Sequence, residues 1–149
     1  MDSGVRRSDT VLLALLALLA RNAGLCWNNF MTPYDPHNVF GKILRAEIPC
    51  TKLYENDVAL AFSDIRPQAP VHALVIPKGA YVDATDFCAH ASTAEVEGFW
   101  RAVGAVVQQL GLSGDGYRLI ANTGADGGQE VPHFHIHILG GKNLGRMVG

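Results

Sequence analysis

The segment PHFHIHILGG, residues 132–141, places a histidine at every second position. Side chains two residues apart on a β-strand point to the same face, so His133, His135 and His137 are expected to form a row on one side of a strand. The apolar residues between them are expected to face the core. A single histidine on a solvated face would be unremarkable, but this strict alternation uses half of the six histidines in the chain. The pattern therefore favours a functional site.

Two kinds of chemistry use several imidazoles on one strand face. A zinc ion or another transition metal can be shared by histidines two residues apart. Alternatively, one neutral imidazole can attack an electrophile such as phosphorus while its neighbours supply hydrogen bonds and protons. The preceding segment NTGADGGQ, residues 122–129, contains three glycines, whose backbone N–H groups can turn toward an anion. Alone it could be an ordinary hairpin connection, but directly before the histidines it favours phosphate chemistry.

The composition argues against several classes of protein. With 149 residues, 48% of them hydrophobic and 17% charged, the chain is expected to fold as one soluble domain rather than to be disordered. Twelve Lys and Arg against fourteen Asp and Glu leave no basic surface for nucleic acid, whereas a small anionic ligand is compatible. Cys26, Cys50 and Cys88 form no CxxC pair, which argues against a disulfide framework or a cysteine-rich zinc site. We therefore predict a reducing, cytoplasmic location.

Residues 1–30 are interpreted separately, as an N-terminal extension. The apolar run VLLALLALLA, residues 11–20, follows two arginines and is similar to the start of a secretory signal. It has about half of the ~20 residues needed to cross a membrane, and Arg21 interrupts it. The alternative is that Met31 is the functional start and that the upstream residues reflect an earlier initiation codon. We favour this alternative, which gives one domain over residues 31–149 and no membrane partner unless the extension is real.

The rest of the chain contains short strand-like segments and one clear long helix. Asn38 is expected to cap a short helix that ends before Pro49. Ser92 and Glu95 form a capping box at the start of the long amphipathic helix, which Gly111 is expected to end. Five segments are predicted as strands: 51–54, 58–65, 71–77, 117–122 and 133–139. This order predicts an α+β fold in which the long helix covers one face of a five-stranded antiparallel sheet.

Together these segments resemble a known family. HFHIHIL is similar to the three alternating histidines that define the histidine-triad (HIT) superfamily. The segments VFGKILRAEIP, FSDIRPQAPVHALVIPK and GADGGQEVPHFHIHILGG are similar to its Hint branch of nucleoside phosphoramidases, in the same order over residues 38–141. The resemblance implies a HIT-like α+β subunit whose sheet joins that of a second copy in a homodimer. It also implies a hydrolase that binds a purine nucleotide, an AMP or GMP derivative, and needs no metal or cofactor. Such an enzyme cleaves a phosphoramidate or acyl-phosphate bond at the α-phosphorus through a nucleotidyl-histidine intermediate.

The resemblance assigns roles to four histidines. The middle histidine of the triad, His135, would be the nucleophile. His137 would hydrogen-bond the phosphoryl oxygens and help to deliver a proton to the leaving group. His133 would fix the tautomer of the nucleophile through the local backbone. His72, in PVHALVIP, matches a further family histidine near the triad, with a buried structural histidine as the alternative.

The resemblance also predicts the residues that hold the nucleotide. Asp64, in FSDI, matches the carboxylate that binds the ribose hydroxyls, with a solvated turn aspartate as the alternative. Four apolar residues match the walls around the base, although they would also serve as plain core: Phe40, Ile43, Phe62 and Ile65. Three residues of the Gly-rich segment match the polar edge of the phosphate site: Asn122, Gly128 and Gln129.

The chain departs from the family pattern at several places. Glu130 stands where the best-known Hint proteins have a serine, which leaves the preferred leaving group open. Ser63 stands where eukaryotic members have a histidine, and the C-terminal NLGRMVG lacks their Trp-containing end. No cysteines lie around Val39, where some bacterial relatives bind zinc, so no zinc is predicted. Two alternative functions stay open: a dinucleoside polyphosphate hydrolase, and a nucleotide-binding or scaffold protein without catalysis.

Overall fold

The computed structural model describes residues 33–148; the interpretations of residues 1–30 and of Met31 concern a part of the chain outside this range. In chain order the described elements are α1 (Val39–Leu44), β1 (Lys52–Glu55), β2 (Ala59–Ser63), β3 (Val71–Pro77), α2 (Ala84–His90), α3 (Thr93–Gln109), β4 (Tyr117–Ile120) and β5 (Ile136–Gly140). The five strands form one antiparallel sheet in the order β1-β2-β3-β5-β4, which confirms the predicted α+β class. None of the helices in this range is long and apolar enough to cross a membrane.

The first three strands follow one another through short connections. At the turn after β1, the side-chain oxygen of Asn56 accepts hydrogen bonds from the backbone N–H groups of Val58 (3.0 Å) and Ala59 (2.8 Å). β2 and β3 then pair along the whole length of β2. Just beyond β2, the backbone N–H of Asp64 donates to the carbonyl of His72 (3.0 Å). Two of the predicted site residues are therefore neighbours across this pair of strands.

The two faces of the sheet are covered by different helices. α3 packs on β1, β2 and β3, and its buried residues form the main core with one face of the sheet. Phe134, Ile136 and Ile138, the apolar residues of the histidine segment, belong to this core, as their alternation predicts. On the opposite face, Phe40 of α1 packs on four residues of β2 and β3: Leu60, Phe62, Leu74 and Ile76. His137 pairs with Leu74 in the β3–β5 ladder and therefore lies on this second face.

The two predicted helices begin at their predicted caps. The Asn38 side chain accepts the backbone N–H of Gly41 (2.9 Å) at the start of α1. α3 has the predicted capping box between Ser92 and Glu95, and the chain leaves it at Gly111, whose φ is +68°. The sequence does not predict α2, because its seven residues give too short an apolar pattern to be distinguished from a loop.

The last strand begins later than predicted. The sequence predicts a strand from residue 133, whereas β5 begins at Ile136. The backbone N–H of Phe134 donates to the carbonyl of Tyr81 (2.7 Å), and that of His133 closes a three-residue turn (2.9 Å). Neither group can therefore donate to a neighbouring strand. His133 and His135 lie in an irregular segment that leads into β5, and only the third histidine of the row is on the strand itself.

Candidate active site

A pair of histidines joins β3 and β5. Nε2 of His72 lies 2.9 Å from Nδ1 of His137. On the other side of its ring, Nδ1 of His72 accepts a hydrogen bond from the backbone N–H of Gln68 (3.0 Å). A neutral imidazole carries one N–H, so His72 holds its proton on Nε2 and donates it to His137. The proton of neutral His137 is then on Nε2, where it can be donated to a ligand.

His135 has one ring nitrogen with a free lone pair. Its Nδ1 lies 2.7 Å from the carbonyl oxygen of His133. Because a carbonyl oxygen can only accept, Nδ1 of His135 carries the proton and Nε2 does not. The ring packs against Phe40 and His137, with centroid distances of 5.1 and 5.0 Å. An imidazole held in this way, with Nε2 unprotonated, can act as a nucleophile.

His133 is fully buried and can act only through its neighbours. Its Nε2 lies 2.9 Å from the carbonyl oxygen of Pro77, so this nitrogen carries the proton. Its Nδ1 accepts a hydrogen bond from the hydroxyl of Tyr34 (2.7 Å). The exposed fraction of His133 is 0%, which excludes direct contact with a substrate. The sequence does not indicate a role for Tyr34, because it lies 99 residues from His133 and no local pattern connects the two.

Burial keeps the imidazoles of the site neutral at neutral pH. It lowers the pKa of His133 to about 4 and that of His137 to about 4, since the charged forms would lose their hydration. Burial also lowers the pKa of His135 and of His72. In both cases the negative charge of Asp64 raises the pKa, but the effect of burial is larger. His135 therefore keeps its reactive lone pair without the help of a separate base.

The residues predicted for the ribose and the base lie at the same corner of the sheet. Oδ1 of Asp64 accepts the backbone N–H of Arg66 (2.7 Å), and Oδ2 lies 3.4 Å from Nε2 of His72. Phe40 and Phe62 pack edge to face with a centroid distance of 5.7 Å. The structure therefore brings a carboxylate and two aromatic rings close to the histidines.

Ile43 and Ile65 have different surroundings. Ile43 is half-buried and packs against the cluster around Phe40. Ile65 is 90% exposed, so within the described part of the chain it is not a core residue. A cavity of about 620 Å³ opens beside Ile43, between α1 and β1, with Leu60 in its wall and Lys78 at its rim. None of the histidines of the candidate site lines this cavity.

The side chain of Gln129 stabilises the Gly-rich loop through three hydrogen bonds to backbone groups. Its side-chain N–H groups donate to the carbonyls of Val82 (2.7 Å) and Val131 (3.0 Å), and its side-chain oxygen accepts the backbone N–H of Gly124 (3.0 Å). Gly124 and Gly128 have φ values of +66° and +68°, which favour glycine. In this arrangement both side-chain N–H groups of Gln129 are used by the loop, so the residue shapes the loop instead of offering a donor to phosphate.

Other residues of the loop are open to solvent. Asn122 is half-buried, while Gly128 and Glu130 are exposed. Burial lowers the pKa of His135, and the carboxylate of Glu130 opposes this effect by raising that pKa. The negative charge of Glu130 therefore acts on His135, although its side chain is exposed.

Asp64, His72 and His137 have ligand atoms within 4.8 Å of one another, a spacing that could hold a metal ion. The hydrogen bonds argue against this use. A metal on Nε2 of His72 would require the proton on Nδ1, yet the N–H of Gln68 already points at that nitrogen. The present geometry fits a chain of hydrogen bonds better than a metal centre.

Comparison with known proteins identifies relatives along most of the chain. The family model described as the HIT domain matches residues 45–144. An uncharacterized 13.2 kDa HIT-like protein of Azospirillum brasilense is 58% identical over 115 residues, which cover 77% of this chain and 94% of the relative. The purine nucleoside phosphoramidase of Escherichia coli K12 is 44% identical over 110 residues, which cover 74% of this chain and 92% of the relative.

Solved structures share the same fold. A HIT family hydrolase from Legionella pneumophila Philadelphia 1 is 39% identical with a TM-score of 0.66, over 74% of this chain and 98% of the other. A HIT family hydrolase from Clostridium thermocellum is 38% identical with a TM-score of 0.69, over 76% of this chain and 97% of the other.

Proposed function

Because the chain belongs to the HIT domain family, we propose that it is a hydrolase that binds a purine nucleotide and cleaves a phosphoramidate or acyl-phosphate bond at the α-phosphorus of a nucleoside 5'-monophosphate derivative. The observation that carries this proposal is the tautomer of His135, whose Nδ1–H is held by the carbonyl of His133 (2.7 Å) so that Nε2 is free to attack. The name of the Escherichia coli relative, purine nucleoside phosphoramidase, supports the same class of substrate.

The first step transfers the nucleotidyl group to His135. The lone pair on Nε2 forms a bond to phosphorus while the bond from phosphorus to the leaving nitrogen or oxygen breaks. The leaving atom keeps the electron pair of the broken bond and takes a proton from His137. Bound phosphate is an anion and favours the protonated form of His137, which supplies this proton. When Nδ1 of His137 is protonated, the N–H of His72 has a second acceptor in Oδ2 of Asp64, 3.4 Å away.

The second step releases the nucleotide. A water molecule attacks phosphorus, and the bond between phosphorus and Nε2 of His135 breaks, which returns the electron pair to that nitrogen. His137 accepts one proton from the attacking water and so regains the form that can donate. Two displacements at phosphorus replace one direct attack by water, which is a poorer nucleophile than imidazole at neutral pH.

The nucleotide is held by residues on the same face of the sheet. Asp64, at the end of β2, accepts hydrogen bonds from the ribose hydroxyls. Four apolar residues enclose the base: Phe40, Ile43, Phe62 and Ile65. The exposed position of Ile65 suits this role, because a bound base would cover its side chain. Asn122 and the backbone around Gly128 contribute the polar edge of the phosphate site.

Intact-mass spectrometry tests the proposed intermediate. The purified full chain, treated with a chelator, is mixed with adenosine 5'-phosphoramidate, and the mass is followed from the first seconds. We expect a transient adenylyl adduct and released ammonia with the wild type. His135→Ala removes the nucleophile, and we expect no adduct and a loss of turnover of at least about a thousandfold.

His37→Ala is the matched control. His37 is an exposed histidine outside the site, so this variant should form the adduct at the wild-type rate. Nucleotide binding without adduct or turnover in the wild type would instead support a nucleotide-binding protein without catalysis. Stoichiometric metal in the protein before chelation, together with no nucleotide binding, would overturn the assignment.

A further inference from the structure

The hydroxyl of Tyr34 lies 2.7 Å from Nδ1 of the buried His133. The opposite nitrogen of the same ring donates to the carbonyl of Pro77 (2.9 Å). The proton of the neutral ring is thus on Nε2, and Tyr34 must be the donor to Nδ1. Tyr34 also packs edge to face on the ring, with a centroid distance of 5.5 Å. His133 is therefore held at both nitrogens by groups that are distant in sequence.

The anchoring of the His133 ring affects His135, the proposed nucleophile, through the backbone carbonyl group of His133. The carbonyl oxygen of His133 accepts the Nδ1 proton of His135 at 2.7 Å. The ring is anchored at both nitrogens and is joined to the Cα atom of His133, so these two hydrogen bonds restrain the backbone of that residue and with it the carbonyl group. Tyr34, His133 and His135 thus form a chain of two hydrogen bonds that ends at the ring proposed to attack phosphorus.

The segment that carries Tyr34 is itself fixed against α1. The side chain of Asn38 donates to the carbonyl of Asp35 (2.6 Å), and Arg45 donates to the carbonyl of Pro36 (2.8 Å). Gly41 leaves room for the segment: a Cβ atom there would lie 2.8 Å from the oxygen of Pro36 and 3.3 Å from the hydroxyl of Tyr34. The tyrosine is therefore packed into a defined place next to the histidine.

We propose that Tyr34 is a positioning residue for the nucleophile: its hydroxyl holds His133 so that the carbonyl of His133 keeps the proton of His135 on Nδ1 and Nε2 directed at phosphorus. The effect on the reaction rests on the proposed function, whereas the effect on the two imidazoles does not.

Tyr34→Phe removes the hydroxyl and keeps the ring. Two measurements on the full chain test the proposal: the rate constant for formation of the adenylyl adduct from adenosine 5'-phosphoramidate, and the ¹⁵N resonances of the histidine rings without ligand. Tyr54→Phe is the matched control, since it removes the hydroxyl of a half-buried tyrosine on β1, away from the histidines. AMP affinity and thermal stability are measured for all three proteins.

For Tyr34→Phe we expect the adduct rate constant to fall about tenfold, with AMP affinity within about twofold of the wild type. The Nδ1 resonance of His133 and the Nδ1 resonance of His135 should both shift, while Tyr54→Phe leaves rate and resonances unchanged. A variant that was only less stable would form less adduct but at an unchanged rate constant.

Three results would overturn the proposal: an unchanged rate constant, a loss confined to AMP affinity, or a His135 resonance that does not move. A wild type that forms no adduct would refute the proposed function. The resonances would still decide the proposal in that case, because a shift at both histidines supports the hydrogen-bond chain and a shift at His133 alone refutes it.

Discussion

Two backbone carbonyls and one backbone N–H determine where the protons of the histidines lie. The carbonyl of Pro77 fixes the proton of His133 on Nε2, and the carbonyl of His133 fixes that of His135 on Nδ1. The N–H of Gln68 fixes the proton of His72 on Nε2. Backbone groups cannot change from donor to acceptor, so these assignments are rigid. Of the four imidazoles, His135 therefore carries its proton on Nδ1, whereas the other three carry it on Nε2.

The buried neutral histidines should make the protein less stable in mild acid. The pKa of His133 is about 4 in the folded chain, against 6.5 for an ordinary histidine. Between these values the unfolded chain binds the proton and the folded chain does not, so the free energy of unfolding falls as the pH falls from 6.5. We expect His133 alone to remove roughly 2–3 kcal/mol by pH 4.5. Urea unfolding at pH 7.5, 6 and 4.5, at one protein concentration, measures this loss.

The three carboxylates with a lowered pKa, Glu47, Glu55 and Glu95, contribute little above pH 4.5, because each pKa is lowered from an ordinary value of 4.5. The window from 6.5 to 4.5 therefore reports mainly on histidine. His37→Ala, which removes an exposed histidine, should keep the same pH dependence. A free energy of unfolding that is constant across this window would refute the buried, neutral state of the site.

The sequence predicted that the histidines of the candidate site lie close together but not how they are connected. Alternation in one segment identifies His133, His135 and His137, since it depends only on neighbours in the chain. The partners of their nitrogens come from elsewhere: Tyr34 and Pro77 meet the ring of His133 only after folding. For Gln129, the sequence predicted a polar residue at the edge of a phosphate site. Its hydrogen bond to the carbonyl of Val82 depends on the tertiary structure and has no signal in the sequence.

At the scale of elements, the sequence predicted the helix caps and the turn better than the start of β5. The caps at Asn38 and Ser92 and the turn at Asn56 each depend on a side chain that bonds within three residues, and all three occur in the structure. β5 starts later than predicted because the N–H of Phe134 is taken by Tyr81, 53 positions earlier in the chain. A competing partner at that distance leaves no local signal in the sequence.

α3 is held against the β1–β2 hairpin at Gly98. The Asn56 side chain donates to the carbonyl of Gly98 (2.9 Å), and a Cβ atom on Gly98 would lie 2.4 Å from Cγ2 of Val58. Gly98→Ala should therefore lower the free energy of unfolding by about 1–2 kcal/mol, despite the better helix propensity of alanine. Denaturant unfolding of the purified variant measures this change.

Val58→Ala provides the control for this contact. It removes the methyl groups that the new Cβ atom would meet, so the double variant should be more stable than the sum of the two single changes by about 1 kcal/mol. Strict additivity would show that Gly98 and Val58 do not limit how closely the helix approaches the hairpin.

At the scale of the whole molecule, the sheet is covered unevenly. α3 packs mainly on β1, β2 and β3, while β4 forms the edge of the sheet opposite β1 among the described residues. Tyr117 and Leu119 on β4 and Trp100 on α3 are 45%, 36% and 49% exposed, which is high for large apolar side chains. An open strand edge next to exposed apolar residues favours association with another chain.

We predict that this edge joins a second copy, as the resemblance to the family implies. Two β4 edges that pair antiparallel about a twofold axis would join the two sheets and use the same surface on both copies. Leu119→Arg places a charge at that edge, because Leu119 is on β4 and 36% exposed, although its partner Ile138 on the same side of the sheet is buried in the core. We expect sedimentation velocity to show a dimer for the wild type and a monomer for Leu119→Arg. Ile65→Arg, a charge at a position that is 90% exposed at the far end of β2, should stay dimeric. A wild type that is monomeric at micromolar concentration would contradict the prediction, and so would a Leu119→Arg variant that remains dimeric, because β4 would then not be the surface that joins the copies.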